Sequence, residues 1–156
     1  MMPVLLYAVG AILVVAGPVL VVSGRVGRTQ VQRELSDQHI VFPPADDLPA
    51  GLNRYGGVQV TTGAQARAYS EIIGQHVAAA TKGRTYAQIT EEWQAGGRTD
   101  ERLGKLRETA FMGNSLRGAL LGAYQAWQVT ALVAGLGALF TAIGVVFVAL
   151  GATWPL

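Results

Sequence analysis

The stretch VTALVAGLGALFTAIGVVFVAL, Val129–Leu150, decides how this chain is built. It carries no charged side chain, and as a helix it is long enough for the ~30 Å hydrocarbon core of a bilayer. Tyr124 and Trp127 precede it and Trp154 follows it. Along a helix, Trp127 and Trp154 would stand about 40 Å apart, near the ~40–45 Å between the headgroup belts where Trp and Tyr concentrate. The aromatic spacing therefore points to a membrane span independently of hydropathy.

Working outward, the start of the chain holds a second such run, VLLYAVGAILVVAGPVLVVS, Val4–Ser23. A cleaved signal peptide would have a basic n-region and a shorter apolar core of ~7–15 residues, so a transmembrane helix is the expectation. Pro18 removes one backbone donor and is expected to bend this helix toward its outgoing end. The 12 basic and 10 acidic side chains all fall between Arg25 and Arg117. A soluble core is the competing reading of the two runs, but so small a polar remainder could not cover both. The sequence thus predicts an all-α membrane protein: a two-helix transmembrane hairpin with a mainly helical extramembrane insert and both termini on one side. Its parts are a first transmembrane helix (1–24), a polar domain (25–117), and an interfacial entry with the second transmembrane helix (118–156).

Within the insert, residues 25–38 can continue the first helix out of the membrane. The segment 40–57, with three prolines and three glycines, excludes a regular helix and reads as an ordered loop. VQVTT after it alternates too briefly for a firm strand and reads equally as extended chain. Near Gly63–Thr81 an amphipathic helix is expected, with Tyr69, Ile72, Ile73, His76, Val77 and Ala80 on its apolar face. Thr62 and Gln65 fit a capping box at its start, and Lys82-Gly83 fits its stop. Thr85 and Gln88 open a short helix that Gly96-Gly97 ends. Thr99-Asp100 starts another that could run into the second span, with Gly113, Asn114 and Ser115 as the expected place for a bend. Phe42, Leu48, Leu52, Tyr55, Tyr69, Ile72, Ile73, Tyr86, Ile89, Trp93, Leu103 and Leu106 are the candidate core.

Catalytic signatures are hard to find. The chain has no Cys, which excludes disulfides, thiolate metal sites and a Cys nucleophile. It has no H-E-x-x-H motif, and Gly113-Asn114-Ser115-Leu116 meets Arg117 where a nucleophile elbow needs its second Gly. His39 and His76 lack partners at metal-ligand spacing. A net charge of +2 with interspersed signs argues against a nucleic-acid partner. No cofactor is expected. Small residues, however, recur at every fourth position: Gly118, Gly122 and Ala126, then Ala134, Ala138 and Ala142. Such rows let helix backbones approach closely in lipid and mark a packing face, whether toward the first span or toward another protein. Tyr124, Trp127, Trp154, Arg25 and Arg28 are the expected membrane-interface residues.

The succession Ile40-Val41-Phe42-Pro43, Ala66-Arg67-Ala68-Tyr69, Gly83 to Ala87 and Phe111 to Arg117, set between two spans, resembles a group of small two-span actinobacterial membrane proteins of unknown function. The resemblance implies the topology and places the loop on the exoplasmic side of the plasma (inner) membrane. The positive-inside rule read on Arg25, Arg28, Arg33 and Arg117 would instead put it in the cytoplasm, and the exoplasmic side is the expectation here. The functional expectation is a non-catalytic accessory or assembly subunit of a larger membrane complex, with other integral membrane proteins and the bilayer as partners. A lipid-surface or envelope-binding module and a metal-dependent enzyme are the alternatives. A Thr99→Cys variant supplies the single thiol of the chain, and an impermeant maleimide should label it in intact cells; labelling only after lysis would put the loop in the cytoplasm.

Overall fold

Two long helices and two short ones make up most of the chain: α1 (Met2–Asp37), α2 (Gly63–Thr81), α3 (Tyr86–Ala95) and α4 (Glu101–Thr153). The computed structural model describes residues 2–153, so Trp154 lies outside the described residues. α1 runs unbroken through Pro18 and past the end of the apolar stretch to Asp37. α4 likewise continues from a polar first turn at Glu101 through the whole apolar run. The chain divides into two compact units, one taking in the residues up to Arg33 and from Ala126 onward, the other Glu34–Gln125. These boundaries fall inside the long helices, whose hydrogen bonding continues through the change in polarity.

Local chemistry sets the ends of the short helices. The Thr62 side chain accepts from the Gln65 N–H, while the Gln65 side chain accepts from the N–H of Thr62, so two otherwise orphaned donors are satisfied. Thr85 and Gln88 repeat the arrangement on α3. α2 stops where Lys82 and Gly83 turn to positive φ and donate back to the last carbonyls. At the start of α4, the Asp100 carboxylate accepts from the Leu103 N–H at 3.0 Å.

In the second unit, Pro43, Pro44 and Pro49 keep the chain between α1 and α2 out of helix apart from two single turns, Ala45–Asp47 and Asn53–Tyr55. Its two ends meet antiparallel at Val41 and Gln59, where Phe42 donates to Val58 and Val60 donates to Ile40. The segment VQVTT is extended chain with one such bridge, and no strand forms among the described residues. Gly56 is required at the closure, since a Cβ there would lie 2.6 Å from the Ala45 nitrogen. Phe42 is buried with Tyr55 and Tyr69 each 5.1 Å away, centroid to centroid. Gln59 ties the loop to the end of α1 through the Ser36 carbonyl at 2.7 Å. A separate cluster joins α3 to α4: Ile89, Leu103 and Ala110 are buried, with Trp93 and Leu106 packed on them.

Three expectations need correction. His76 and Ala80 are exposed, and the deepest residues of α2 are small ones, Ala66, Ala68 and Ser70 with Ile72. The helix is covered on two flanks, by the loop at Tyr69 and by α4 at Ile73 and Val77, so its buried surface is wider than one apolar stripe and turned away from His76. Nor does α4 break at Gly113-Asn114-Ser115. Gly113 instead leaves room for Val77, whose Cγ2 occupies the place a Cβ would take. Tyr86, also a candidate core residue, is exposed with its ring 5.8 Å from that of Phe111.

Ile89 is fully buried. Ile89→Ala should destabilise the second unit by ~2–5 kcal/mol, measured on the full chain in mild detergent by denaturation, while Glu91→Ala on the exposed side of α3 should stay within ~0.5 kcal/mol.

Candidate functional site

In the first unit, α1 and α4 pack antiparallel along a seam made of glycine. Gly10 faces Gly144 and Val148, Gly17 faces Gly137 and Thr141, and Gly24 faces Thr130 and Ala134. Gly151 continues the seam against Pro3 and Tyr7. The contacts are reciprocal. A Cβ on Gly10 would lie 2.9 Å from the Gly144 carbonyl oxygen, and one on Gly144 2.9 Å from that of Gly10; for Gly17 and Gly137 the corresponding values are 2.6 and 2.5 Å. Real side chains essentially never come this close, so the seam exists only because hydrogen stands where Cβ would be. The glycine C–H groups then point at carbonyl oxygens of the facing helix, contacts worth roughly 0.5–1 kcal/mol each.

Within α1 and within α4 the seam glycines lie seven positions apart: Gly10, Gly17 and Gly24, then Gly137, Gly144 and Gly151. Seven residues fall only about 20° short of two full turns, so such a row stays on one face over the length of a span, as in a coiled coil. A search for four-residue spacing misses it, although the glycines are plain in the sequence. Of the rows found at that spacing, Ala134 enters the seam beside Gly24, whereas Ala138 and Ala142 are exposed. Gly118 and Gly122 are exposed too, with nothing within 4 Å of where their Cβ atoms would stand.

Outside the seam the apolar side chains point away from the pair. Val4 is 70% exposed, Ile12 67% and Val15 69%, and Leu132 and Val145 on α4 are exposed as well. At the polar end of this unit, the Arg28 guanidinium lies 4.1 Å from the Trp127 ring centroid, a cation–π contact joining two expected interface residues. Arg25 is exposed, and its carbonyl accepts from Thr29.

In the second unit, Tyr124 closes one side of an open cleft of about 270 Å³. Arg67 of α2 donates to the Tyr124 hydroxyl at 3.3 Å and pairs with Glu71 at 3.5 Å. Its pKa is raised, first by the hydrogen bond to Tyr124 and then by electrostatic attraction to Tyr124 and Glu71. Arg54 enters the same cleft and donates to the Tyr55 hydroxyl at 3.1 Å. Sequence patterning gave no sign of this cleft, because Arg54, Arg67 and Tyr124 belong to a loop and two different helices. Both histidines are exposed, His39 with its Nδ1 2.8 Å from the Asp37 carbonyl. No group of three or more His, Asp or Glu side chains suited to a metal ion occurs among the described residues. No family model, curated protein or solved structure matches the chain.

Gly17→Val should force the helices of the seam apart and cost ~1–3 kcal/mol as overpacking, lowering the thermal midpoint of helix loss in mild detergent. Gly122→Val, which meets open space, should leave the midpoint within about 1 °C of wild type if the seam is what holds the pair.

Proposed function

We propose that the chain is an integral protein of the plasma (inner) membrane that crosses the bilayer twice and serves as an accessory or assembly subunit of a larger membrane complex. The observation that carries the membrane reading is the inside-out distribution of side chains in the first unit. Its helices bury glycine against glycine and turn Val, Leu and Ile outward along runs that length and composition suit to a bilayer. In water such a surface would far exceed the apolar patches that monomeric proteins expose. In lipid it is neutral, and close backbone packing, rather than hydrophobic burial, holds the helices. The Arg28–Trp127 contact supports the same reading, since both residue types favour the headgroup region.

The subunit reading is supported by surfaces the fold does not use. Ala138 and Ala142 leave a shallow face on α4 outside the glycine seam, of the kind another membrane helix can approach closely. In the second unit Met112 and Leu116 are exposed on α4, apolar side chains suited to a protein contact. The loop is assigned to the exoplasmic side, in keeping with the resemblance to small two-span proteins.

Carbonate-washed membranes should retain the chain, and its release into the supernatant would end the membrane reading. Pull-down of the full chain from mild detergent should bring down partner membrane proteins, and Ala138→Leu should reduce their yield about five- to tenfold while leaving the thermal midpoint unchanged. A chain that is reproducibly monomeric without partners would overturn the subunit reading and leave the membrane reading standing.

A further inference from the structure

The cleft at Arg54, Arg67 and Tyr124 has a use that neither the glycine seam nor the proposed subunit role requires. Two guanidinium groups reach it from different elements, Arg54 from the loop turn Asn53–Tyr55 and Arg67 from α2. Each is held by an aromatic partner rather than left to wander. Arg54 lies 4.8 Å from the Tyr55 ring centroid and donates to its hydroxyl, while Arg67 lies 5.3 Å from the Tyr124 ring centroid and donates to its hydroxyl. Stacking and hydrogen bonding reduce the entropy lost when an arginine binds a ligand, and a guanidinium carries five N–H donors, more than one phenol and one carboxylate take up. Glu71 is the one carboxylate lining the cleft.

We infer that this cleft binds the phosphodiester headgroup of a singly charged anionic membrane lipid, with Arg54 and Arg67 on the phosphate oxygens. The charge balance points to a monoanion: two guanidinium groups against Glu71 leave a single positive charge, which a phosphodiester neutralises and a dianionic phosphomonoester exceeds. Planar guanidinium groups suit phosphate oxygens, each able to present two parallel N–H donors. Glu71 and the tyrosine hydroxyls can accept from the hydroxyl groups of a glycerol headgroup. A lipid rather than a free ion is indicated by the position of Tyr124, which stands on α4 a few residues before the apolar run that opens at Val129, where a spanning helix meets the headgroups. The inference rests on the membrane reading and is independent of the subunit reading.

The test is native mass spectrometry of the full chain in mild detergent, titrated with phosphatidylglycerol, with phosphatidylcholine, and with glycerophosphoglycerol, the soluble phosphodiester that carries the same headgroup without acyl chains. Wild type should retain one phosphatidylglycerol with roughly 25-fold preference over phosphatidylcholine, as expected for two basic residues at about fivefold each. The double variant Arg54→Gln/Arg67→Gln should lose that preference, while Arg98→Gln/Arg102→Gln, which removes equal charge from exposed positions elsewhere, should keep it. Circular dichroism of each variant confirms that helix content is unchanged; if the Gln pair does not fold, Arg54→Lys/Arg67→Lys replaces it and should weaken retention by removing the bidentate donors. Equal retention of both lipids by wild type, or full retention by the folded Gln or Lys variant, would overturn the assignment. Glycerophosphoglycerol binding as tightly as the lipid would also overturn it, in favour of a soluble anion. Because carbonate extraction reports membrane residence separately, a chain that stays in the membrane without lipid preference refutes the headgroup site alone.

Discussion

Backbone contact without side chains is the constraint on which the first unit depends. At Gly10, Gly17, Gly137 and Gly144 the facing chain occupies the space of a Cβ, so even alanine would push the helices apart. In a lipid environment apolar side chains gain nothing by leaving the surroundings for one another, and the remaining sources of attraction are dispersion at short range and weak C–H···O contacts. Both fall off steeply with distance. Glycine at seven-residue intervals therefore gives an antiparallel pair its strongest contact at the shortest separation, and it leaves large side chains such as Val4, Ile12, Val15, Leu132 and Val145 facing outward.

That economy has a consequence for the rest of α4. A seam that uses Thr130, Ala134, Gly137, Thr141, Gly144 and Gly151 leaves Ala131, Ala138 and Ala142 on other faces of the same helix, still small and still able to accept a close neighbour. The helix thus presents two kinds of small-residue surface, one engaged by α1 and one open. The second unit holds itself together in a different way, with a conventional core. Ile89, Leu103 and Ala110 form one apolar cluster, Phe42 with its two tyrosines another, and the short helices are closed by reciprocal Thr–Gln caps. Burial of apolar area, rather than backbone proximity, stabilises such an arrangement.

Arginine–aromatic pairs recur in both units: Arg28 on Trp127 in the first, and Arg54 on Tyr55, Arg67 on Tyr124 and Arg107 on Trp93 in the second. The pairing lets a long, flexible cation adopt one orientation at a modest entropic cost. At Trp93 the stack covers the edge of the α3–α4 cluster. At Tyr124 it presents charge to an open cleft. The same contact therefore serves packing in one place and recognition in the other, according to whether the far side of the guanidinium meets protein or solvent.

Much of this was legible in the residues taken in order. The charge-free runs, the capping pairs Thr62–Gln65 and Thr85–Gln88, the Lys82-Gly83 stop and the proline-rich loop all act through neighbours within a few positions, and short-range physics alone specifies them. The two long helices follow from composition and length. Which faces those helices use was decided only in three dimensions. His76 shares the helical spacing of Ile72 and Ile73 yet is exposed, and Gly113, a bend by local propensity, is a seat for Val77 within an unbroken helix. Glycine exerts opposite effects depending on what approaches it, and nothing local states that a carbonyl of a distant helix will lie where Cβ would be. The cleft at Arg54, Arg67 and Tyr124 is of the same kind. Its members stand far apart in the chain, and only the packing of the loop, α2 and α4 brings their charges and hydroxyls to one place.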